Sequence, residues 1–284
     1  MKILILGASG MLGNAMVRLL SEKTDWDVAG TVRSESAKRF FQHDLASLLL
    51  CGIDVEHHDS LLQAFSRTRP DVVVNCVGLV KQRADASDPL QAIPINSLLP
   101  HRLARLCEMS GARLIHMSTD CVFSGDKGGY LESDPPDADD LYGRSKFLGE
   151  VNYPHAITLR TSIIGHELQS NHGLINWFLS QQKTCAGYTH AIFSGLPTAV
   201  LARIVRDVVI PRPDLHGIYH VAAAPITKYK LLNIVAEIYG KEIAIVPDGR
   251  VAIDRSLDAT RFREATGYVA PDWETMIETM HAYR

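Results

Sequence analysis

In the segment LYGRSK, residues 141–146, a phenol at Tyr142 and an amine at Lys146 stand four residues apart. On a helix that spacing puts the two side chains on one face as neighbours. An acid and a base, each with an ordinary pKa near ~10, are thereby brought together. Taken alone, the pattern also describes any surface helix carrying an ordinary tyrosine and lysine, so the rest of the chain has to supply the context.

A second grouping lies at the start of the chain. GASGMLG places Gly7, Gly10 and Gly13 directly after the apolar run KILIL and ahead of a helical stretch. A tight turn, close approach of backbone to a pyrophosphate, and close helix-to-strand packing each favour glycine at such positions. The helix N-terminus adds free N–H groups and a partial positive charge. The spacing is G-x-x-G-x-x-G rather than G-x-G-x-x-G, and its strand–turn–helix setting is what argues for a dinucleotide. Gly7, Ser9, Gly10, Met11, Leu12 and Gly13 are the expected cradle. The second apolar run ends GTVRS, putting Arg33 where an acidic residue would bind the ribose hydroxyls of NAD. A guanidinium there suits a 2′-phosphate, so NADPH is the expected cofactor, with NADH admitted. Asp54 and Val55, at the end of the third run, are placed beside the adenine, Asp54 toward its amino group.

These groups need a scaffold that brings distant segments to one edge. Short β-branched runs at 2–7, 27–33, within 48–55, at 71–78, 112–119 and 156–165 alternate with helical stretches at 14–23, 60–68 and 95–111. The last of these helices is interrupted early by Pro100 and ended by Gly111. The acidic, proline-rich 132–140 reads as a loop delivering the chain into a helix near Leu141. Regular alternation of this kind predicts an α/β fold, a doubly wound parallel sheet. Beyond 165 the rhythm loosens into helices at 173–179, 199–210 and 228–240 with a strand at 217–222. The expected division is a cofactor domain over 1–160 and a smaller α/β substrate lobe over 161–284, some of whose segments return to the sheet.

The totals exclude several classes of function. With 284 residues, 46% hydrophobic and 21% charged, the chain has the composition of a globular protein with a large core. A net charge of −3 provides no electrostatic footprint for nucleic acid or an anionic membrane. No run approaches the ~20 apolar residues of a membrane span. MKILILG reads as a buried strand rather than a signal peptide, because its apolar run is short and no cleavage site follows. The five cysteines lack C-x-x-C spacing and suit free thiols in a cytoplasm. The twelve histidines lack H-E-x-x-H spacing, and no metal site is expected.

The glycine turn, NCVG (75–78), STD (118–120) and YGRSK (142–146), in that order, resemble the extended short-chain dehydrogenase/reductases, whose sheet is of the Rossmann type. STDCVFSG, GGYLESD, DLYGRSKFLGE, LRTSIIG, SGLPT, GIYHVA and RSLDATRF then follow the motifs of the dTDP-4-dehydrorhamnose reductase family over most of the chain. The resemblance implies an NADPH-dependent oxidoreductase that reduces the 4-keto group of a nucleotide-linked 6-deoxyhexulose for cell-surface polysaccharide. It implies Tyr142 as general acid, Lys146 as the group that binds the nicotinamide ribose and lowers the phenol pKa, and Thr119 as a donor to the same carbonyl oxygen. Hydride addition to a ketone develops an alkoxide that needs a proton and a hydrogen-bond donor, so those residue types suit the step. Cys76, Val77 and Gly78 would run beside the cofactor, Asn96 would support the lysine or bond within the core, and Lys81 would reach the substrate.

Two departures bear on the sugar. Cys121 stands where the family has Tyr after S-T-D, and Ile163, along the cofactor, stands where it often has Trp. Both changes remove aromatic surface, leaving room for a UDP-2-acetamido-2,6-dideoxy-4-hexulose as well as dTDP-4-dehydrorhamnose. Asp120 and Cys121 are expected at the substrate. In the smaller lobe Trp177 and Phe178 read as core residues, with Trp177 the alternative base platform, and Arg255 and Arg261 suit a diphosphate. Competing readings are an epimerase or dehydratase of the same superfamily and a non-catalytic NADP-binding regulatory subunit. The first of these favours an acidic residue where Arg33 stands. The resemblance admits a homodimer.

Overall fold

The structure, a computed structural model, describes residues 1–79, 87–169, 171 and 173–284. In its first half each strand is followed by a helix. The order is β1 (Lys2–Leu6), α1 (Met11–Leu20), β2 (Asp27–Val32), α2 (His43–Ala46), β3 (Leu49–Cys51), α3 (His58–Thr68), β4 (Val72–Asn75), α4 (Pro89–Ala92), α5 (Leu99–Ser110) and β5 (Arg113–Thr119). Then come α6 (Leu141–Leu148), β6 (Ala156–Thr161), β7 (Ile163–Ile164), α7 (Leu174–Ser180), β8 (Thr184–Phe193), β9 (Leu196–Pro197) and α8 (Thr198–Ile204). The chain closes with β10 (Gly217–His220), β11 (Ile226–Thr227), α9 (Lys228–Ile238), β12 (Ala244–Asp254), α10 (Thr260–Thr266) and α11 (Trp273–Ala282). No described helix is long and apolar enough to cross a membrane.

Seven strands form one sheet in the order β10-β6-β5-β4-β1-β2-β3. β1 pairs in parallel with β2 and with β4, β2 with β3, and β4 with β5. This is the doubly wound sheet expected from the alternating runs. Chain direction across the sheet reverses beside β1, so the carboxyl ends of β1 and β4 flank the crevice where such sheets take ligands. The strands hold because both faces are covered. Leu4, Leu6, Val73 and Leu114 pack with Leu61 and Phe65 of α3 and Leu99 and Leu103 of α5. Fully burying each such side chain contributes roughly 2 kcal/mol, so the frame beneath the carboxyl edge is well fixed.

The chain divides into two compact units, one of Met1–Ser118, Asp140–Leu159 and Ala202–Ile218, the other of Thr119–Asp139, Arg160–Leu201 and Tyr219–Arg284. The second unit has its own sheet, β11-β8-β12, with β8 and β12 parallel and β11 antiparallel to β8. Within it Trp273 of α11 donates its indole N–H to the carbonyl of Ala224 at 2.8 Å.

Three local expectations are corrected. The strand over 156–165 breaks at Ser162: β6 stays in the large sheet, while β7 pairs with β9, and the Ser162 carbonyl accepts from Leu196 N–H at 2.8 Å. The helix over 95–111 is α5 preceded by a wide π turn, Ile93–Leu98, with Pro100 inside the first turn of α5. Leu99 N–H bonds back to the Pro94 carbonyl, whereas Pro100 has no N–H to return to the Asn96 carbonyl, and the regular helical ladder is interrupted there. Finally β8 and β12, both long, lie where no strand was read.

Candidate active site

The glycine turn sits at the switch point. Gly7 has φ +81°, a left-handed conformation that favours glycine, and a Cβ there would lie 2.9 Å from the Val77 side chain. A Cβ on Gly13 would lie 2.1 Å from the Gly7 carbonyl oxygen, so α1 can start this close to β1 only with glycine. Gly7 N–H donates to Thr31 Oγ1 at 3.2 Å, and Gly10 N–H to the Gly7 carbonyl at 3.0 Å. Ser9 and Met11 are half-buried and Leu12 is buried beneath them. The turn therefore has the form of a phosphate cradle at a helix N-terminus. Arg33 is exposed immediately after β2. Asp54 follows β3 and accepts from the N–H of Glu56 at 3.1 Å, so it caps the turn leading to α3, while Val55 packs on the core.

Beyond β4 the chain passes through Cys76, Val77 and Gly78. Val77 N–H donates to Asn75 Oδ1 at 3.1 Å, and Leu79 N–H donates to Asn96 Oδ1 at 2.9 Å. A Cβ on Gly78 would lie 3.5 Å from Asn96 Oδ1 and 3.7 Å from Lys146 Nζ. The absent side chain thus leaves open the space next to the ammonium. Asn96 belongs to the π turn, and its Nδ2 donates to Ser145 Oγ at 3.1 Å. Its side chain therefore bonds within the core and ties the exit of β4 to α6. Lys81 lies outside the described residues.

α6 begins where the sequence indicates. Asp140 caps it, accepting from Gly143 N–H at 2.7 Å, and Tyr142 and Lys146 fall one turn apart on one face. Tyr142 is half-buried, and its carbonyl accepts from Ser145 Oγ at 2.9 Å. Lys146 is only 5% exposed, and its Nζ donates to the Met117 carbonyl on β5 at 2.7 Å. Burial lowers its pKa from the usual lysine range to about 8, partly offset by the charge of Glu150. A cation beside the phenol is the arrangement that eases loss of the phenolic proton.

In the second unit Thr119 caps a short 3₁₀ turn, Asp120–Val122. Its hydroxyl donates to Asp120 Oδ1 and accepts from Cys121 N–H, each at 3.1 Å. Burial raises the pKa of Asp120, opposed by the Thr119 bond and then by Arg255. Arg255 Nε donates to the Phe123 carbonyl at 2.7 Å. Lys228, at the start of α9, is lowered by burial and raised by Asp120 and Cys121. Thr119, Asp120, Cys121, Lys228 and Arg255 thus form one polar group. Cys121 and Ile163 are half-buried. Phe178 is fully buried, but Trp177 is at the surface, 36% exposed, which corrects its reading as core. Arg261 is exposed, its guanidinium lying over the Tyr219 ring at 4.6 Å.

Lys228 escaped the sequence reading because 107 residues separate it from Cys121 and no local pattern marks it. Ser145 and Glu150 were equally unremarked, although Glu150 stands four residues after Lys146, the same interval that drew attention to Tyr142.

The chain is similar to several known proteins. A dTDP-4-dehydrorhamnose reductase of Aggregatibacter actinomycetemcomitans is 24% identical over 99% of this chain and 99% of its own. A methionine adenosyltransferase 2 subunit beta of Danio rerio is 28% identical over 84% of this chain and 74% of its own. The crystal structure of dTDP-4-dehydrorhamnose reductase from Bacillus anthracis in complex with NADP superposes with a TM-score of 0.81 at 19% identity, covering 100% of this chain and 98% of that one. Residues 1–282 match the family described as RmlD substrate binding domain. With the match running from the glycine turn to α11, this chain belongs to that family, within the extended short-chain dehydrogenase/reductases.

Proposed function

We propose that this chain is an NADPH-dependent reductase of the 4-keto group of a nucleotide-linked 6-deoxyhexulose. The observation that carries the reading is α6: Tyr142 and Lys146 share a face, and the Lys146 ammonium is pinned to β5 beside the bare Gly78. The glycine turn and Gly78 fit a dinucleotide, because side chains at Gly7 and Gly13 would crowd the turn and one at Gly78 would occupy the space next to the Lys146 ammonium. On this reading Gly7 and Ser9 to Gly13 hold the pyrophosphate, Arg33 the 2′-phosphate, Asp54 and Val55 the adenine end, and Cys76 to Gly78, Asn96 and Ile163 the nicotinamide end. When bound, the cofactor supplies hydride to the carbonyl carbon.

Tyr142 gives its proton to the carbonyl oxygen as negative charge develops there, and Thr119 donates a hydrogen bond to the same oxygen. Lys146 binds the nicotinamide ribose and lowers the phenol pKa. Asp120, Cys121, Trp177, Lys81 and Arg255 serve the nucleotide sugar, with the first unit binding cofactor and the second substrate. Arg33, in place of an acidic residue, favours a reductase that exchanges NADPH over an epimerase that retains NAD. The presence of Thr119, Tyr142 and Lys146 favours an enzyme over a regulatory subunit. The proposed setting is the cytoplasm, with no nucleic-acid partner, and a homodimer is compatible with it.

Cys121 and Ile163, both smaller than the aromatic residues of the family motifs, favour a UDP-linked 2-acetamido sugar as the specific substrate. A panel of dTDP-, UDP- and GDP-linked 4-keto-6-deoxysugars with NADPH or NADH, followed at the nicotinamide absorbance, tests both levels. Steady NADPH oxidation with one of them is expected. UDP-sugar turnover no better than dTDP-sugar turnover removes the acetamido preference, and no turnover with any removes the reductase reading.

A further inference from the structure

We propose that Glu150, held by the Ser118 hydroxyl, is the counter-ion of the Lys146 ammonium and a positioning residue for the reaction; this rests on the roles given above to Tyr142 and Lys146. Lys146 Nζ donates to the Met117 carbonyl at 2.7 Å, and Ser118 Oγ donates to Glu150 Oε1 at 2.7 Å. Cation and carboxylate are thus tied to consecutive residues of β5.

The path between them is specifically shaped. α6 ends at Leu148, and the chain turns at Gly149 before Glu150 returns to the strand. That turn has no room for a side chain: a Cβ on Gly149 would lie 1.9 Å from the Asn96 carbonyl oxygen and 3.2 Å from the Pro100 ring. Pro100, four residues after Asn96, has no N–H to offer that carbonyl, and its ring crowds it aside. The π turn, Pro100 and Gly149 therefore fit together to deliver a carboxylate to the end of β5.

Among the described residues, the other groups around Lys146 supply no negative charge. His116 of β5 is fully buried, and burial followed by the Lys146 charge holds it well below the usual imidazole range. Its Nδ1 lies 3.1 Å from Asn75 Nδ2. Asn75 Oδ1 is already taken by Val77 N–H, so the amide donates and the imidazole proton sits on Nε2. His101 of α5, behind it, lies with Nε2 2.9 Å from the Leu148 carbonyl and donates to it. Tyr142 is the neighbour on α6 itself and is the proposed proton donor. Glu150 is the charge that offsets the burial of Lys146. Its carboxylate keeps the ammonium protonated where the phenol needs it.

Glu150→Gln preserves an acceptor for Ser118 and removes the charge. The full-length chain, labelled with ¹³C at the lysine ε carbons, is titrated by NMR with and without saturating NADPH, the Lys146 signal being identified by its loss in Lys146→Met. The Lys146 midpoint is expected to fall by about one pH unit in Glu150→Gln, and by less in Ser118→Ala, which removes the hydroxyl bond without discharging the carboxylate. The alkaline limb of kcat/KM should move with it, costing about fivefold at pH 8 and about twofold at pH 7, for a lysine that starts at about 8. Unchanged midpoints in both variants would overturn the proposal, as would a loss of kcat/KM equal at every pH. The titration needs no substrate, so absence of turnover with every keto sugar would count against the reductase reading and leave this test standing.

Discussion

At Lys146 the fold carries a cost that only chemistry explains. An ammonium buried to 5% exposure, with its pKa lowered from 10.5 to about 8, destabilises the folded chain at neutral pH. Below pH 8 both folded and unfolded chains hold the proton, so the cost is present in full. Between about 8 and 10.5 the folded chain releases its proton first, and stability rises with pH across that window. Lys146→Met, similar in shape and without charge, should therefore stabilise the protein at pH 7 by up to about 3 kcal/mol. The gain should shrink as the pH rises from 8 to 10, as read by urea unfolding at each pH. A gain independent of pH would mean that the lysine keeps the same pKa folded and unfolded. Tyr142 and Lys146 were legible because a four-residue interval is a strong statement on a helix. Glu150 was not, because its interval crosses a helix end, and Lys228 was not, because only the folded chain brings it to Asp120.

Among the elements, the π turn Ile93–Leu98 and α6 form one working pair. Asn96 bonds to Leu79 and Ser145, Ser97 bonds to the Ser145 carbonyl at 2.8 Å, and Gly149 rests on the Asn96 carbonyl. Gly149→Ala should push α6 off the π turn. Overpacking a site with this little clearance should cost about 3 kcal/mol of stability. It should also lower kcat more than it raises the NADPH Kd, because the glycine turn proposed to hold the phosphates is remote in the chain. Denaturant unfolding and NADPH fluorescence titration check both halves, and a variant with wild-type stability would show that the contact yields. Pro100 announced an irregularity in the helix at 95–111, but its consequence was hidden. A proline does not say whether the helix will break, kink or widen, and here tertiary bonds from α6 decide.

For the whole molecule, the large sheet was readable because strands covered on both faces are continuous apolar runs, as in KILIL and VVVN. The second unit was less readable for the opposite reason. β12 is an edge strand, largely exposed, with Pro247, Gly249 and a register shift between Asp248 and Ala252, so neither an apolar run nor clean alternation marks it. β8, beside it, mixes Thr, Gly and His with its apolar residues. The residues proposed to bear the chemistry, Thr119, Tyr142 and Lys146, lie on segments that were readable, and one of them can be tested alone. The most direct measurement is ketone reduction by Tyr142→Phe, followed at the nicotinamide absorbance, beside NADPH binding to the same variant. A proton-donating phenol predicts turnover reduced by about a hundredfold to ten-thousandfold with NADPH affinity nearly unchanged. Wild-type turnover by Tyr142→Phe would contradict it.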